Sequence, residues 1–251
     1  MEIARVELLS DVKKRDNRET IKTKMQRTFT LRRHDLLRCA PMISDFMMKW
    51  PALFDVTEVN AEFKRITTIP LQSKFLSQLD LHYESFLKVF ERRPGQQGRK
   101  LKEMMSTVVQ DDIDAARELA IKGLCIYLNE DPKDLIQEYV DMEENLLQSA
   151  IEKTTMGIFV KKDTADYEAH DVGIVLEGVA VLHDLDSVAF ATSMLFGLIY
   201  ALNLQYPKKL RFTFEILQKL IMELDGGELS IKAQHFKSKL HQCDGPPLND
   251  S

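Results

Sequence analysis

The stretch from Asp171 to Leu224, DVGIVLEGVAVLHDLDSVAFATSMLFGLIYALNLQYPKKLRFTFEILQKLIMEL, constrains the fold of this chain more than any other. Val172 to Leu176 and Val179 to Leu182 are β-branched, apolar runs parted by Glu177-Gly178, the pattern of two short strands and a tight turn. The run after them, residues 189–204, is almost wholly apolar. At 16 residues, and broken by Thr192, Ser193 and Asn203, it falls short of the roughly 20 a membrane span needs, so it predicts a buried core helix. Pro207 then opens a helix in which Leu210, Phe214, Leu217, Ile221 and Leu224 recur every three or four residues.

Upstream, the same periodicity predicts a long helix after Pro70 through Leu71, Phe75, Leu79, Tyr83, Phe86 and Phe90. Thr57 is the expected N-cap of a shorter one through Val59, Phe63 and Ile66. Helices are expected over 101–109 and 113–121, the latter closed by Gly123 in a left-handed cap. Asp131-Pro132 has the chemistry of a helix start, with Leu135, Ile136, Tyr139 and Val140 on the inner face. Gly157 to Val160 supplies a third strand. A chain with 44% hydrophobic and 29% charged residues, few glycines and few prolines fits a helix-rich globular protein. The expected fold is therefore α+β and mainly α-helical, with about eight or nine helices around one small antiparallel sheet of three strands. Residues 29–243 form the globular domain, with the RRPGQQG segment at 92–98 as a candidate internal boundary. Residues 1–28 lack an apolar stripe and read as a basic, mobile or weakly helical arm, and 244–251 as a disordered tail.

Charge is unevenly distributed. Between Lys13 and Arg33 nine Lys or Arg face only Asp16 and Glu19, although the whole chain carries a net charge of −5. A basic arm on an acidic body suits phosphate contacts, an import signal, or docking onto its own domain. Lys13, Lys14, Arg15, Arg32 and Arg33 are its candidate phosphate or import-receptor contacts. With Phe29 as the only aromatic, any nucleic-acid binding would be driven by phosphates and weakened by salt. Met47 and Met48 beside Trp50 form a candidate adaptable partner surface, although a lone tryptophan at a Trp-Pro corner also suits an anchor in the core.

Signals for chemistry are sparse. Asp111, Asp112 and Asp114 carry enough oxygens for a divalent cation, but they also suit the positive end of a helix. The six histidines never adopt zinc-ligand spacing, and His241-x-Cys243 sits beside a polar tail. His170-Asp171 and His183-Asp184, with Ser187 or Ser193, offer the parts of a hydrolytic triad without its spacing. RRPGQQGRK has two glycines but no strand-loop-helix context for a phosphate loop. Three widely spaced cysteines, Cys39, Cys125 and Cys243, argue against a disulfide framework and for the reducing cytoplasm or nucleus.

Several blocks, in order, point to a family: Trp50-Pro51-Ala52-Leu53-Phe54, Glu62-Phe63-Lys64-Arg65-Ile66, Tyr127-Leu128-Asn129-Glu130-Asp131, Gly173-Ile174-Val175-Leu176-Glu177, Gly197-Leu198-Ile199-Tyr200-Ala201-Leu202-Asn203 with Tyr206-Pro207, and Thr213-Phe214-Glu215. Between about Thr28 and Leu240 the chain resembles the carboxy-terminal region of vertebrate, chiefly fish, sterile alpha motif domain-containing protein 3-like proteins. The resemblance implies a single soluble domain and supplies no catalytic or binding residues. The five-helix pattern of the sterile alpha motif does not precede these blocks, so its self-association is not carried over. The expected function is non-enzymatic protein interaction or scaffolding, with no cofactor and no membrane span. A nuclear nucleic-acid-associated role for segment 13–33 is the alternative, and a metal-dependent or hydrolytic enzyme the third.

Overall fold

A computed structural model describes residues 2–14, 16–107, 112–162 and 170–244. The chain divides into two compact units. The first comprises residues 1–71, 137–186 and 190–205, and the second comprises 72–136, 187–189 and 206–251. The candidate boundary at 92–98 falls inside the second unit.

The first unit begins with two helices in the segment that the sequence suggests is a mobile or weakly helical arm. Helix α1 (Glu2–Asp11) and α2 (Arg18–Arg27) each bury at least one apolar side chain completely, Leu8 and Met25. One deep anchor per helix and a set of ion pairs take the place of the missing apolar stripe. Helix α3 (Phe29–Cys39) ends at Ala40, which adopts left-handed φ just before Pro41, and α4 (Ile43–Lys49) follows. A 3-10 turn at Pro51–Phe54 leads into α5 (Val56–Thr67). The N-cap of α5 is Asp55, whose Oδ1 accepts from Thr57 N at 2.9 Å, and not Thr57 itself.

The sheet has four strands in the order β1-β2-β3-β4: β1 (Ile136–Val140), β2 (Met156–Lys162), β3 (His170–Leu176) and β4 (Val179–Leu182). Strands β2 and β3 pair antiparallel with Ile158 opposite Ile174, and β3 with β4 antiparallel around a bulge at Ile174/Val175. Strand β1 lies parallel to β2. Thr154, just before β2, donates to Gln137 near the start of β1 at 3.4 Å, and Asp141 N donates to Lys162 O at the far end at 3.0 Å. The sheet is therefore mixed, and residues 136–140, expected in a helix, form a strand. Asp131-Pro132 starts only the 3-10 turn Pro132–Asp134, after which IQEYV alternates inward and outward. Helix α9 (Glu144–Glu152) crosses from β1 to β2 and packs Leu147 and Ile151 on Phe159 and Val175. The turn at Glu177-Gly178 has positive φ at both residues, as a two-residue hairpin requires. Helix α10 (Val188–Ala201) is the core helix, with Phe196 and Tyr200 against Phe63 of α5 at ring separations of 5.9 and 5.2 Å. Among the described residues no helix is long and apolar enough to cross a membrane.

The second unit is helical. Helix α6 (Leu71–Glu91) follows Pro70 as its periodicity predicts. Helix α7 (Gly95–Ser106) begins inside the RRPGQQG segment, so the connection after α6 shrinks to residues 92–94. Helix α8 (Ile113–Tyr127) runs straight through Gly123. That glycine is there for packing and not for a cap, since a Cβ would meet the Phe90 ring. Helix α11 (Arg211–Ile216) continues as a π-helical turn, Leu217–Ile221, and α12 (Ile231–Asp244) closes the chain. Phe86, Phe90, Tyr127 and Phe236 form an aromatic cluster with ring separations of 5.1 to 6.1 Å. Twelve α-helices are present among the described residues, against the eight or nine expected. The excess comes from α1, α2, the split at Ala40 and α9. The tail 245–251 lies outside the described residues.

Candidate functional site

The basic segment does not present its cations as a set. Arg32 is fully buried in α3, with Nε and Nη2 donating to the Glu62 carboxylate at 3.0 and 2.6 Å. Its remaining donors reach Thr28 Oγ1 at 2.7 Å and Met25 O at 2.8 Å, and the guanidinium lies 5.4 Å from the centre of the Trp50 ring. Every side of this cation is occupied from within. Arg32 is therefore not a phosphate contact, because a charge in the interior requires a full set of partners and here has one.

Arg33 turns inward as well, donating to the last carbonyls of α10, Tyr200 O at 3.3 Å and Ala201 O at 3.2 Å, where a cation complements the helix dipole. Trp50 is also fully buried, donating Nε1–H to Asp35 Oδ2 at 3.1 Å. The tryptophan is a core anchor and not part of a partner surface. Helix α5 completes the network: Arg65 bonds Glu62 at 2.7 Å and Glu58 at 3.2 Å, while burial pushes the Glu58 carboxyl up against the pull of Arg65.

Lys13 and Lys14 remain at the surface, and Arg15 lies outside the described residues. Lys14 reaches Asp11 at 2.9 Å, and Lys24 reaches the other oxygen of the same carboxylate at 2.5 Å. These two ammonium groups, Lys24 first, hold Asp11 down to about 2, below its ordinary value of 3.8. The carboxylate fastens α1 to α2. A depressed pKa stabilises the fold above the ordinary carboxylate range and ceases to do so as pH falls through about 2. The stability difference between this chain and Asp11→Asn, measured by urea unfolding, should therefore be constant above pH 5 and shrink toward zero as pH falls from about 4 to about 2.

Two surface features survive once the internal cations are removed. One is apolar. Among the described residues eleven large apolar side chains are exposed, and six of them, Ile3, Val6, Val12, Leu37, Met42 and Met48, belong to the first 48 residues. Ile3 (77% exposed) and Val6 lie one turn apart on the outer face of α1, and Met48 on α4 is 70% exposed, whereas its neighbour Met47 is half-buried. The other is a groove of about 540 Å³ between α2 and α5, lined by Lys22, Arg27, Lys64 and Arg65 with Glu19 as its one carboxylate. The side chains of Arg27 and Lys64 are exposed and make no ion pair among the described residues.

The chemical candidates are absorbed into structure. Asp112 is the N-cap of α8, its Oδ1 accepting from Asp114 N and Ala115 N at 3.0 Å, and Asp111 lies outside the described residues. Asp114 pairs with Arg117 at 3.3 Å. Among the described residues no group of three or more His, Cys, Asp or Glu could hold a metal ion. Asp171 accepts from Asp184 N at 2.9 Å and faces His183 at 3.5 Å, while Ser193 is buried and donates to Phe190 O at 2.7 Å. Those residues do not form a triad. Desolvation pushes the buried Cys125 thiol up to about 12, which leaves it unreactive at neutral pH.

Residues 1–55 match the family model described as sterile alpha motif domain-containing protein 3, helical domain. The match covers α1 to α4 and the turn at Pro51–Phe54, the segment that carries the exposed apolar side chains and the Arg32-Trp50 contact. The chain thus resembles sterile alpha motif domain-containing protein 3-like proteins. No curated protein and no solved structure matches it.

Proposed function

We propose that this protein is a non-enzymatic interaction or scaffold protein of the cytoplasm or nucleus, and that its partner surface is the outer face of the amino-terminal helices. The observation that carries this reading is the concentration of exposed apolar side chains on α1, α3 and α4 and at their ends. Six of the eleven in the described residues fall in about a fifth of the chain. Isolated exposed apolar residues need no explanation, but a regional excess marks contact surface. The match of residues 1–55 to a helical domain named as a unit of its own supports the same region.

A nucleic-acid role for segment 13–33 keeps one favourable observation, the outward placement of Lys13, Arg18, Lys22 and Arg27. It loses Arg32 to the interior and Arg33 to the carbonyls at the end of α10. Two measurements on the full chain separate the readings. Proximity capture in cells should lose its enriched partners at least tenfold with Ile3→Glu, Val6→Glu and Met48→Glu combined, and keep them with Lys13→Ala, Arg18→Ala and Arg27→Ala combined. Both variants change exposed residues and should melt like the parent. The opposite pattern, with salt-sensitive anisotropy on a mixed-sequence nucleic acid, would establish the second reading in its place.

A further inference from the structure

The second unit contains a cavity of about 350 Å³ at the carboxy ends of α6 and α12, and its charge is unbalanced. Arg92 and Arg93, just beyond α6, and Lys239 of α12 line it together with the ring of Tyr127 and the side chain of Val89. Among the described residues no carboxylate lines it. The chain as a whole carries a net charge of −5, and Arg32, Arg65, Lys14, Lys24 and Arg117 are each paired with Asp or Glu.

The cations are held in place without being neutralised. The Arg93 guanidinium stacks 5.0 Å from the centre of the Tyr127 ring, and that ring is itself fixed between Phe90 and Phe236. Among the described residues Arg92 reaches only Cys243 Sγ, at 3.4 Å, and Lys239 only the Gln242 side-chain oxygen, also at 3.4 Å. Both are weak partners for a full charge. Arg93 Nε is buried with no hydrogen-bond partner, a rare condition for an ionised donor. The other such atom among the described residues, Gln97 Oε1, is an acceptor and does not line the cavity.

Cations at helix carboxy ends also complement the helix dipole, and that need has to be subtracted first. Each end carries about half a unit of negative charge, so the ends of α6, α8 and α12 together offset about half of three full positive charges. A positive surplus remains inside a concave, partly apolar site.

We propose that this cavity binds a small phosphate monoester, its phosphoryl group held by Arg92, Arg93 and Lys239 and its organic part lying against Tyr127 and Val89. Two guanidinium forks and an ammonium match a dianionic, multiply accepting phosphoryl group better than a carboxylate, which has one charge and two oxygens. The volume lies near the lower end of the range for small-molecule sites, about 300–1,000 Å³, which leaves room for a group the size of a sugar beside the phosphate. The site is separate from the surface proposed above and does not depend on it.

Calorimetric titration of the full chain with glucose 6-phosphate, AMP, inorganic phosphate and a phosphoserine peptide tests the assignment. At least one monoester should bind more tightly than inorganic phosphate and than the peptide. Arg93→Gln should weaken it at least tenfold and the Arg92→Gln, Lys239→Gln pair by a similar factor, while Lys237→Gln, on α12 but outside the cavity, changes nothing. Arg92 and Lys239 are exposed, so their variant keeps the test valid even if Arg93→Gln fails to fold. Absence of binding by all four probes, a preference for the peptide, or affinity indifferent to both cavity variants would overturn the proposal.

Discussion

Glu62→Ala is expected to destabilise the first unit by about 3–5 kcal/mol, because it strips the carboxylate from a guanidinium that has no access to water. Arg32 and Glu62 are both completely buried, and two parallel hydrogen bonds join them at 3.0 and 2.6 Å. Thr28, Met25 and the Trp50 ring would remain around Arg32, but none of them carries a charge. Arg65 loses a partner too, yet it keeps Glu58 at 3.2 Å and some exposure, so the penalty concentrates on Arg32. Urea unfolding followed by emission of the single tryptophan reports this directly, since Trp50 lies within the network. Replacing the pair together, Arg32→Met with Glu62→Leu, should recover most of the loss, as apolar groups of similar volume often replace buried ion pairs at little cost. A loss below about 1 kcal/mol for Glu62→Ala would mean that water reaches Arg32 and that the site is not sealed.

Phe236→Ala is the second large effect, about 3–5 kcal/mol, and it falls on the second unit. The ring is fully buried, 5.5 Å from Phe86 and 5.1 Å from Tyr127, and α12 carries few other large anchors besides Leu240. Removing it leaves a void between α6, α8 and α12 that the aromatic neighbours can fill only by giving up their own contacts. Amide exchange in peptides from α12 should accelerate at least a hundredfold, as expected when local opening becomes easier by several kcal/mol. Unchanged exchange in α12 would show that Leu240 and Ala233 alone hold the helix.

The sequence made the long periodic elements legible and the compact ones not. Helix α6 follows from the recurrence of Leu71, Phe75, Leu79, Phe86 and Phe90, and α10 from an apolar run broken only by Thr192 and Ser193, since both patterns extend over several turns. Strand β1 was hidden because five residues cannot distinguish a strand from a helix face, and Asp131-Pro132 tips that balance the wrong way. Helices α1 and α2 lacked a stripe because ion pairs around Asp11 carry much of their docking.

Arg32 and Arg33 were counted as surface charge, which is the ordinary fate of arginine. The contrary signal was in α5, where Glu58 and Glu62 alternate with the buried Val59 and Phe63 on adjoining positions and therefore need an inward cation. The phosphate cavity had no such signal. RRPGQQGRK lacks the context of a phosphate loop, and two of its arginines acquire meaning only when Tyr127 and Lys239 arrive from 34 and 146 residues beyond Arg93.

The inward turn of Arg32 also limits how this sequence can drift over generations. A lone change at Arg32 or Glu62 is severely penalised, while a matched change at both is nearly neutral, so neutral wandering at either position is blocked unless a second site has already shifted. Asp35, Trp50, Glu58 and Arg65 share those contacts and inherit the same restriction. Among descendants of this chain the six positions should be either retained as a group or replaced as a group, whereas Lys13, exposed and in no ion pair among the described residues, is free to vary by itself.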